Sequence, residues 1–115
     1  MASVLAGQRV LVPAHFDAEV LSAIRRLTRR KVISPAQAGD ALLRLALLPA
    51  ERAALAPLLS EAFALRDRFS AFDALYAVLG RQRAAALCTT DTRLARAARG
   101  YVDVALVDGF HATQK

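Results

Sequence analysis

The sequence lacks tryptophan, contains a single cysteine and has no long hydrophobic run. One cysteine excludes an internal disulfide, and Cys88, which lies in an apolar stretch, is typical of a small buried hydrophobic residue. The longest apolar stretch, 42–48, is interrupted by Arg44 and falls far short of the roughly 18 residues of a membrane-spanning helix. The N-terminus has neither a basic segment nor a long apolar one. We therefore expect no signal peptide and a cytoplasmic protein.

Several motifs of well-known enzyme classes are also missing from the sequence. There is no glycine-rich phosphate loop, no CxxC zinc pair and no GxSxG nucleophile elbow, which argues against P-loop, zinc and serine-hydrolase chemistry. The chain has 115 residues, of which 56% are hydrophobic, and this excludes a disordered protein. No repeat or linker divides it, so we expect one domain over residues 1–115.

Positive charge is in excess. Sixteen lysine and arginine residues face ten acidic residues, which gives a net charge of +6. This balance favours a polyanionic partner such as a nucleic acid, or an acidic protein. An arginine-rich composition without functional meaning is the alternative.

Short apolar runs alternate with amphipathic stretches along the chain. Because strands separated by helices usually pair in parallel, this pattern predicts a helix-rich α/β fold with a short parallel sheet. The predicted strands are 9–12, 84–89 and 102–107, with an edge strand or a loop within 49–57, and the predicted helices begin near residues 14, 35, 58, 71 and 91. The side chains expected to face inward from the helix over 58–68 are Leu59, Ala62 and Phe63.

Three acidic residues occupy strand–helix junctions or first helical turns. Glu19 lies near the start of the first helix, Asp73 lies in the first turn after the helix cap Ser70, and Asp91 follows an apolar strand. Ligand sites in α/β sheets form at the carboxyl ends of the strands, so these acids are expected to converge. Carboxylate oxygens are ligands that Mg²⁺ and Mn²⁺ prefer. The pattern predicts a site for divalent metal and phosphodiester chemistry.

Each of these acids also has a structural explanation. Glu19 suits the helix dipole, Asp73 completes a capping box with Ser70, and Asp91 is a good N-cap. No histidine is well placed as an alternative base: His15 is expected at the surface or at a helix cap, and His111 lies in the tail. Both interpretations of the acids therefore stand at the level of sequence.

A cluster of basic residues closes the first predicted helix. It has no acids four residues upstream to pair with, so its side chains are free to contact RNA phosphates. Arg25 and Arg29 are the candidate substrate-binding residues. A solvated helix end is the alternative. The cluster consists of Arg25, Arg26, Arg29, Arg30 and Lys31.

Three segments, 16–26, 70–76 and 87–95, resemble PIN-domain proteins, specifically the VapC-type toxins. The resemblance implies a three-layer α/β/α fold and an Mg²⁺- or Mn²⁺-dependent endoribonuclease. It also implies a VapB antitoxin, whose tail fills the acidic site. By position, Glu19, Asp73 and Asp91 would be the catalytic, metal-binding carboxylates. Thr89 would be a supporting hydroxyl at the substrate site.

The resemblance begins near Leu5 and omits one element of the family. The family opens with a central strand that ends in an aspartate, and 5–7 instead resembles the end of the helix that follows it. The resemblance therefore implies a PIN-like domain without its first strand and with one site carboxylate fewer. Open strand edges favour self-association, so a homodimer or higher oligomer is expected.

Three functions are compatible with these features. The first is a VapC-like toxin that cleaves RNA phosphodiesters. The second is a catalytically inactive PIN-like module that sequesters an antitoxin. The third is a basic nucleic-acid-binding domain without catalysis, for which the residues 25–31 would supply the contacts.

Overall fold

The structure is a computed structural model that describes residues 2–6 and 9–107. The tail predicted from residue 108 onward, with His111, lies outside the described residues. The chain order is β1 (Ala2–Ala6), β2 (Arg9–Pro13), α1 (Phe16–Arg29), α2 (Pro35–Ala46), β3 (Ala50–Ala53), a 3-10 turn (Ala56–Leu58), α3 (Leu59–Ala64), α4 (Ala71–Gln82), β4 (Ala86–Thr89), α5 (Thr92–Ala98) and β5 (Val104–Leu106). The predicted α/β class is confirmed. Within 49–57, where the sequence allows either an edge strand or a loop, residues 50–53 form an edge strand.

The five strands form one mixed sheet in the order β3-β2-β1-β4-β5. The pairs β2–β3 and β4–β5 are parallel, as expected, but β1 is antiparallel to both of its neighbours. The expected parallel pairing is therefore confirmed for these two pairs and wrong for β1. The match of Leu5 and Ala6 to a helix end is also wrong, because both residues belong to β1, and Gly7 lies outside the described residues.

The central position of the sheet is thus filled rather than empty. Val4 of β1 pairs with Leu11 of β2 on one side and with Leu87 of β4 on the other, and all three side chains are fully buried. Burial of this apolar row stabilises the sheet through the hydrophobic effect. The strand satisfies its neighbours' hydrogen bonds, but it carries no aspartate.

Helix α4 packs closely against the sheet and belongs to the core. Every residue from Ala74 to Gly80 is buried. Gly80 permits this close approach, because a Cβ atom there would lie 3.0 Å from Val102 Cγ2 and 3.3 Å from the Ala85 carbonyl oxygen. Gly80, although glycine is a poor helix former, therefore has a packing role in α4.

Helices α1 and α2 form a hairpin with well-defined ends. Ser34 and Gln37 make a reciprocal capping box at the start of α2, the helix predicted to begin near residue 35. Arg52 on β3 anchors the hairpin to the sheet, since its Nε and Nη2 donate to the two Asp17 oxygens at 2.9 and 3.1 Å. Its Nη2 also donates to the Leu45 carbonyl at 2.8 Å. The first turn of α1 is therefore held in place.

Two of the inward-facing residues expected after residue 58 are misassigned. Leu59 and Phe63 are more than half exposed, whereas Leu58 and Ala62 are buried. The 3-10 turn before α3 has three residues per turn, which shifts the phase of the apolar face by one position.

No helix among residues 2–6 and 9–107 is long and apolar enough to cross a membrane.

Candidate active site

The three predicted acids line one pocket of about 220 Å³. Glu19 comes from α1, Asp73 from the first turn of α4 and Asp91 from the turn after β4. Thr89, the last residue of β4, is buried and borders the same pocket. The predicted convergence of these residues at one edge of the sheet is therefore observed.

Asp91 has a structural role as well as a place in the pocket. Its Oδ1 accepts hydrogen bonds from the backbone N–H groups of Arg93 at 2.9 Å and Leu94 at 3.2 Å, which caps α5. Its own backbone N–H donates to Thr89 Oγ1 at 3.0 Å. One carboxylate oxygen is thus committed to the cap. The hydroxyl of Thr89 fixes the turn that carries Asp91.

Asp73 is positioned by its backbone. The Asp73 N–H donates to the hydroxyl of Ser70 at 3.2 Å, so Ser70 is the N-cap of α4. The return bond of a capping box, from the Ser70 N–H to the Asp73 carboxylate, is not formed between these two described residues. The half-buried carboxylate of Asp73 borders the pocket instead. The structural explanation for this acid is therefore weaker than that for Asp91.

Glu19 is held by the buried Tyr76 of α4, whose hydroxyl donates to Glu19 Oε1 at 2.6 Å. Burial, followed by this hydrogen bond to Glu19, raises the pKa of Tyr76 well above its usual range. Tyr76 consequently stays protonated and remains a donor. Helix α1 is thereby fastened to α4 beside the pocket.

His15 occupies the N-cap position of α1, which confirms the helix-cap expectation, but its side chain makes no capping hydrogen bond and is not at the surface. Only 11% of its side chain is exposed, and its ring lies 5.2 Å from the ring centroids of both Phe72 and Tyr76. Burial lowers the pKa of His15, and the nearby Glu19 carboxylate opposes this effect. Neutral His15 therefore packs behind Glu19 and does not border the pocket.

The donor set suits a hard divalent cation only in part. The pocket offers three carboxylates, which are oxygen ligands of the kind that Mg²⁺ and Mn²⁺ prefer. Within residues 2–6 and 9–107, however, no three or more His, Cys, Asp or Glu residues are grouped closely enough to hold a metal ion. Mg²⁺ usually keeps several waters and binds one or two carboxylates directly. The residues fit an ion of that kind and not a complete protein cage.

Arg25 and Arg29 lie outside the acidic pocket. They line a separate groove along α1 together with Ser22, Arg26 and Arg30. Arg26 lines both this groove and the acidic pocket. Its placement has a signal in the sequence, because Arg26 follows Glu19 by seven residues, which is two helical turns along one face.

Ala2 is a second pocket residue that sequence reasoning missed. It lies opposite Thr89 in the register of β1 and β4 and lines the acidic pocket. No pattern in the sequence indicated it, because the placement depends on the antiparallel direction of β1. The strand therefore brings an alanine to the wall where the acids converge.

We expect Ala2→Asp to tighten Mn²⁺ binding by about tenfold, because it adds a carboxylate to the same pocket. The measurement is a Mn²⁺ titration followed by the electron paramagnetic resonance signal of free Mn²⁺. Ser3→Asp is the matched control, since the next side chain along a strand points to the other face. Equal affinities in Ala2→Asp and Ser3→Asp would contradict this placement of β1.

Fold and site together define an α/β domain whose carboxylates gather at the end of a central sheet. Residues 2–100 match the PIN domain family. The ribonuclease VapC3 of Mycobacterium tuberculosis is 44% identical over 93 residues, which cover 81% of this chain and 68% of that protein. The ribonuclease VapC12 of the same species is 34% identical over 103 residues, which cover 90% of this chain and 80% of that protein. The VapC ribonuclease Mb0985 of Mycobacterium bovis is 30% identical, with coverages of 90% and 81%.

These similarities identify the family. The chain belongs to the PIN-domain family and, within it, to the VapC-type proteins. No solved structure gives a significant match.

Proposed function

We propose that this protein is a VapC-like toxin that acts as a metal-dependent endoribonuclease. The observation that carries the proposal is the pocket in which Glu19, Asp73 and Asp91, from three distant parts of the chain, meet beside Arg26. The names of its relatives, which are ribonucleases, support the same reaction. A phosphodiester is the substrate that both the acids and the arginines suit.

Each pocket residue has a role in this proposal. Glu19, Asp73 and Asp91 would hold Mg²⁺ or Mn²⁺ together with water. The ion supplies charge that polarises the phosphate and lowers the pKa of an attacking water. Thr89 keeps the Asp91 turn in place, and Tyr76 keeps Glu19 directed by its hydrogen bond.

The arginines of α1 complete the proposed substrate site. Arg25 and Arg29 would bind phosphates beside the pocket, and Arg26 links their groove to the acids. None of the four arginines in this groove forms an ion pair with an acid among the described residues. Their charges are therefore available to a polyanion.

A VapB-type antitoxin is the proposed protein partner, and the cytoplasm is the proposed location. A homodimer or higher oligomer of single domains over residues 1–115 is proposed as well. Exposed apolar side chains within residues 21–47, on α1, on α2 and on the residues that connect and follow them, support association, because exposed patches of this kind mark interaction sites. They include Leu21, Val32, Leu43 and Leu47.

The test of the proposed reaction is RNA cleavage by the purified chain with Mg²⁺, with Mn²⁺ and with EDTA. We expect internal cleavage with either metal and none with EDTA. A folded chain that never cleaves RNA but binds an antitoxin would favour the inactive module instead. That second function is favoured by one observation, the lack of a compact group of three ligands among the described residues.

A further inference from the structure

A second basic groove borders the acidic pocket, on the side of α5. It is about 440 Å³ in volume, and Asp73, Asp91 and Leu94 line both this groove and the acidic pocket. The other wall residues include Arg93 and Arg96. The groove along α1 adjoins the same pocket through a different residue, Arg26. The acids therefore lie between two arginine-lined grooves that share no residue with each other.

Arg93 and Arg96 are free to bind a ligand. They stand three residues apart on α5 and both are exposed. Neither side chain forms an ion pair or a hydrogen bond within the part of the chain that the structure describes. Asp91 lies near them, yet its Oδ1 binds backbone N–H groups and not a guanidinium.

Arg68, the third arginine of this groove, is committed elsewhere. Its Nε donates to the Ala97 carbonyl at 2.5 Å and its Nη2 to the Arg99 carbonyl at 2.7 Å. Its guanidinium also lies over the rings of Phe69 and Tyr101. Arg68 therefore holds the end of α5 in place as a wall of the groove, and the ligand contacts fall to Arg93 and Arg96.

We propose that Arg93 and Arg96 bind backbone phosphates of single-stranded RNA at the α5 border of the acidic pocket. In this arrangement the arginines of α1 bind the same strand on the other side of the cleaved bond. The inference rests on the proposed ribonuclease function and deepens it, because an enzyme that holds its substrate on both sides cuts internally. A positively charged groove that follows the backbone is how single strands are bound without sequence preference.

The test uses a short fluorescein-labelled single-stranded RNA in EDTA, where binding is measured without cleavage. The variants are Arg93→Gln/Arg96→Gln on α5 and Arg25→Gln/Arg29→Gln on α1. The control, Arg44→Gln/Arg66→Gln, removes the same charge from exposed positions outside both grooves. Each groove variant should reduce the slope of log affinity against log salt by about 1.4, because each contact on a single strand contributes about 0.7. The control should not change the slope.

The affinities of the two cleavage products for the variants then show which part of the RNA each groove binds. One product should lose affinity only in the α5 variant, and the other only in the α1 variant. The inference is overturned if the α5 variant and the control variant have the same RNA affinity and salt slope. It is also overturned if the unaltered protein binds an oligoglutamate peptide and not RNA. Metal-dependent cleavage that persists in that case leaves the proposed function standing. RNA binding that depends on both grooves, without any cleavage, would instead contradict the proposed ribonuclease activity and support RNA binding by the two grooves.

Discussion

Replacing Asp91 by asparagine is expected to reduce metal-dependent RNA cleavage by about a hundredfold or more while leaving the fold intact. Asparagine caps helices about as well as aspartate, so the cap of α5 survives the change. The negative charge at the pocket does not survive it. Even changes to groups that only support a metal ligand typically cost 10–100-fold, and the loss of a ligand should exceed that. Initial cleavage rates and thermal melting curves measure the two effects separately.

Asp73→Asn is expected to behave in the same way, since its backbone N–H, and not its carboxylate, bonds to Ser70. Asp67→Asn is the matched control, because Asp67 is exposed and does not border the pocket. If Asp73 and Asp91 were only helix-capping residues, both variants would cleave RNA at the rate of the control. That outcome would contradict the assignment of the site.

The second large effect concerns the central strand. Ser3 and Cys88 are directly paired across β1 and β4, and Cys88 is the only cysteine in the chain. Directly opposed residues of antiparallel strands lie about 4.5–5.5 Å apart between Cα atoms, within the range that a disulfide spans. We therefore expect Ser3→Cys to form a disulfide with Cys88 on oxidation. The closed loop is long, so the stabilisation should be about 4 kcal/mol.

Mass spectrometry under non-reducing conditions detects the bond, and reduction should reverse the rise in melting temperature. Ala2→Cys is the control, because Ala2 pairs with Thr89 and its side chain lies on the other face. A disulfide in Ala2→Cys but not in Ser3→Cys would mean that the register of β1 is shifted by one residue.

The elements with strong local signals were predictable from sequence. Ser34 with Gln37, and Asp91 with the two N–H groups it caps, are local arrangements that the chain encodes within a few residues. The strands 9–12, 84–89 and 102–107 follow from short apolar runs and are present with small shifts of their ends. The meeting of Glu19, Asp73 and Asp91 followed from their places at the edge of an α/β sheet. Their catalytic roles remain a prediction.

The rest depends on contacts between distant residues. The segment 2–6 has no alternation that would predict a strand, and its direction is decided by pairing with β2 and β4. The burial of His15 depends on Phe72 and Tyr76, which follow it by more than fifty residues. Arg26 differs from Arg25 and Arg29 only in the face of α1 that it occupies. The spacing of seven residues places Arg26 on the same face as Glu19, but only the tertiary structure shows that this face borders the pocket.

The central claim is that the pocket of Glu19, Asp73 and Asp91 binds a divalent metal ion, and a Mn²⁺ titration of the folded chain tests it most directly. Electron paramagnetic resonance reports free Mn²⁺, so binding is read without any assumption about the RNA. We predict saturable binding that Mg²⁺ displaces and that Asp91→Asn and Asp73→Asn each weaken strongly, with Asp67→Asn unchanged. Binding of equal strength in all four proteins, or none in the unaltered chain, would contradict the account.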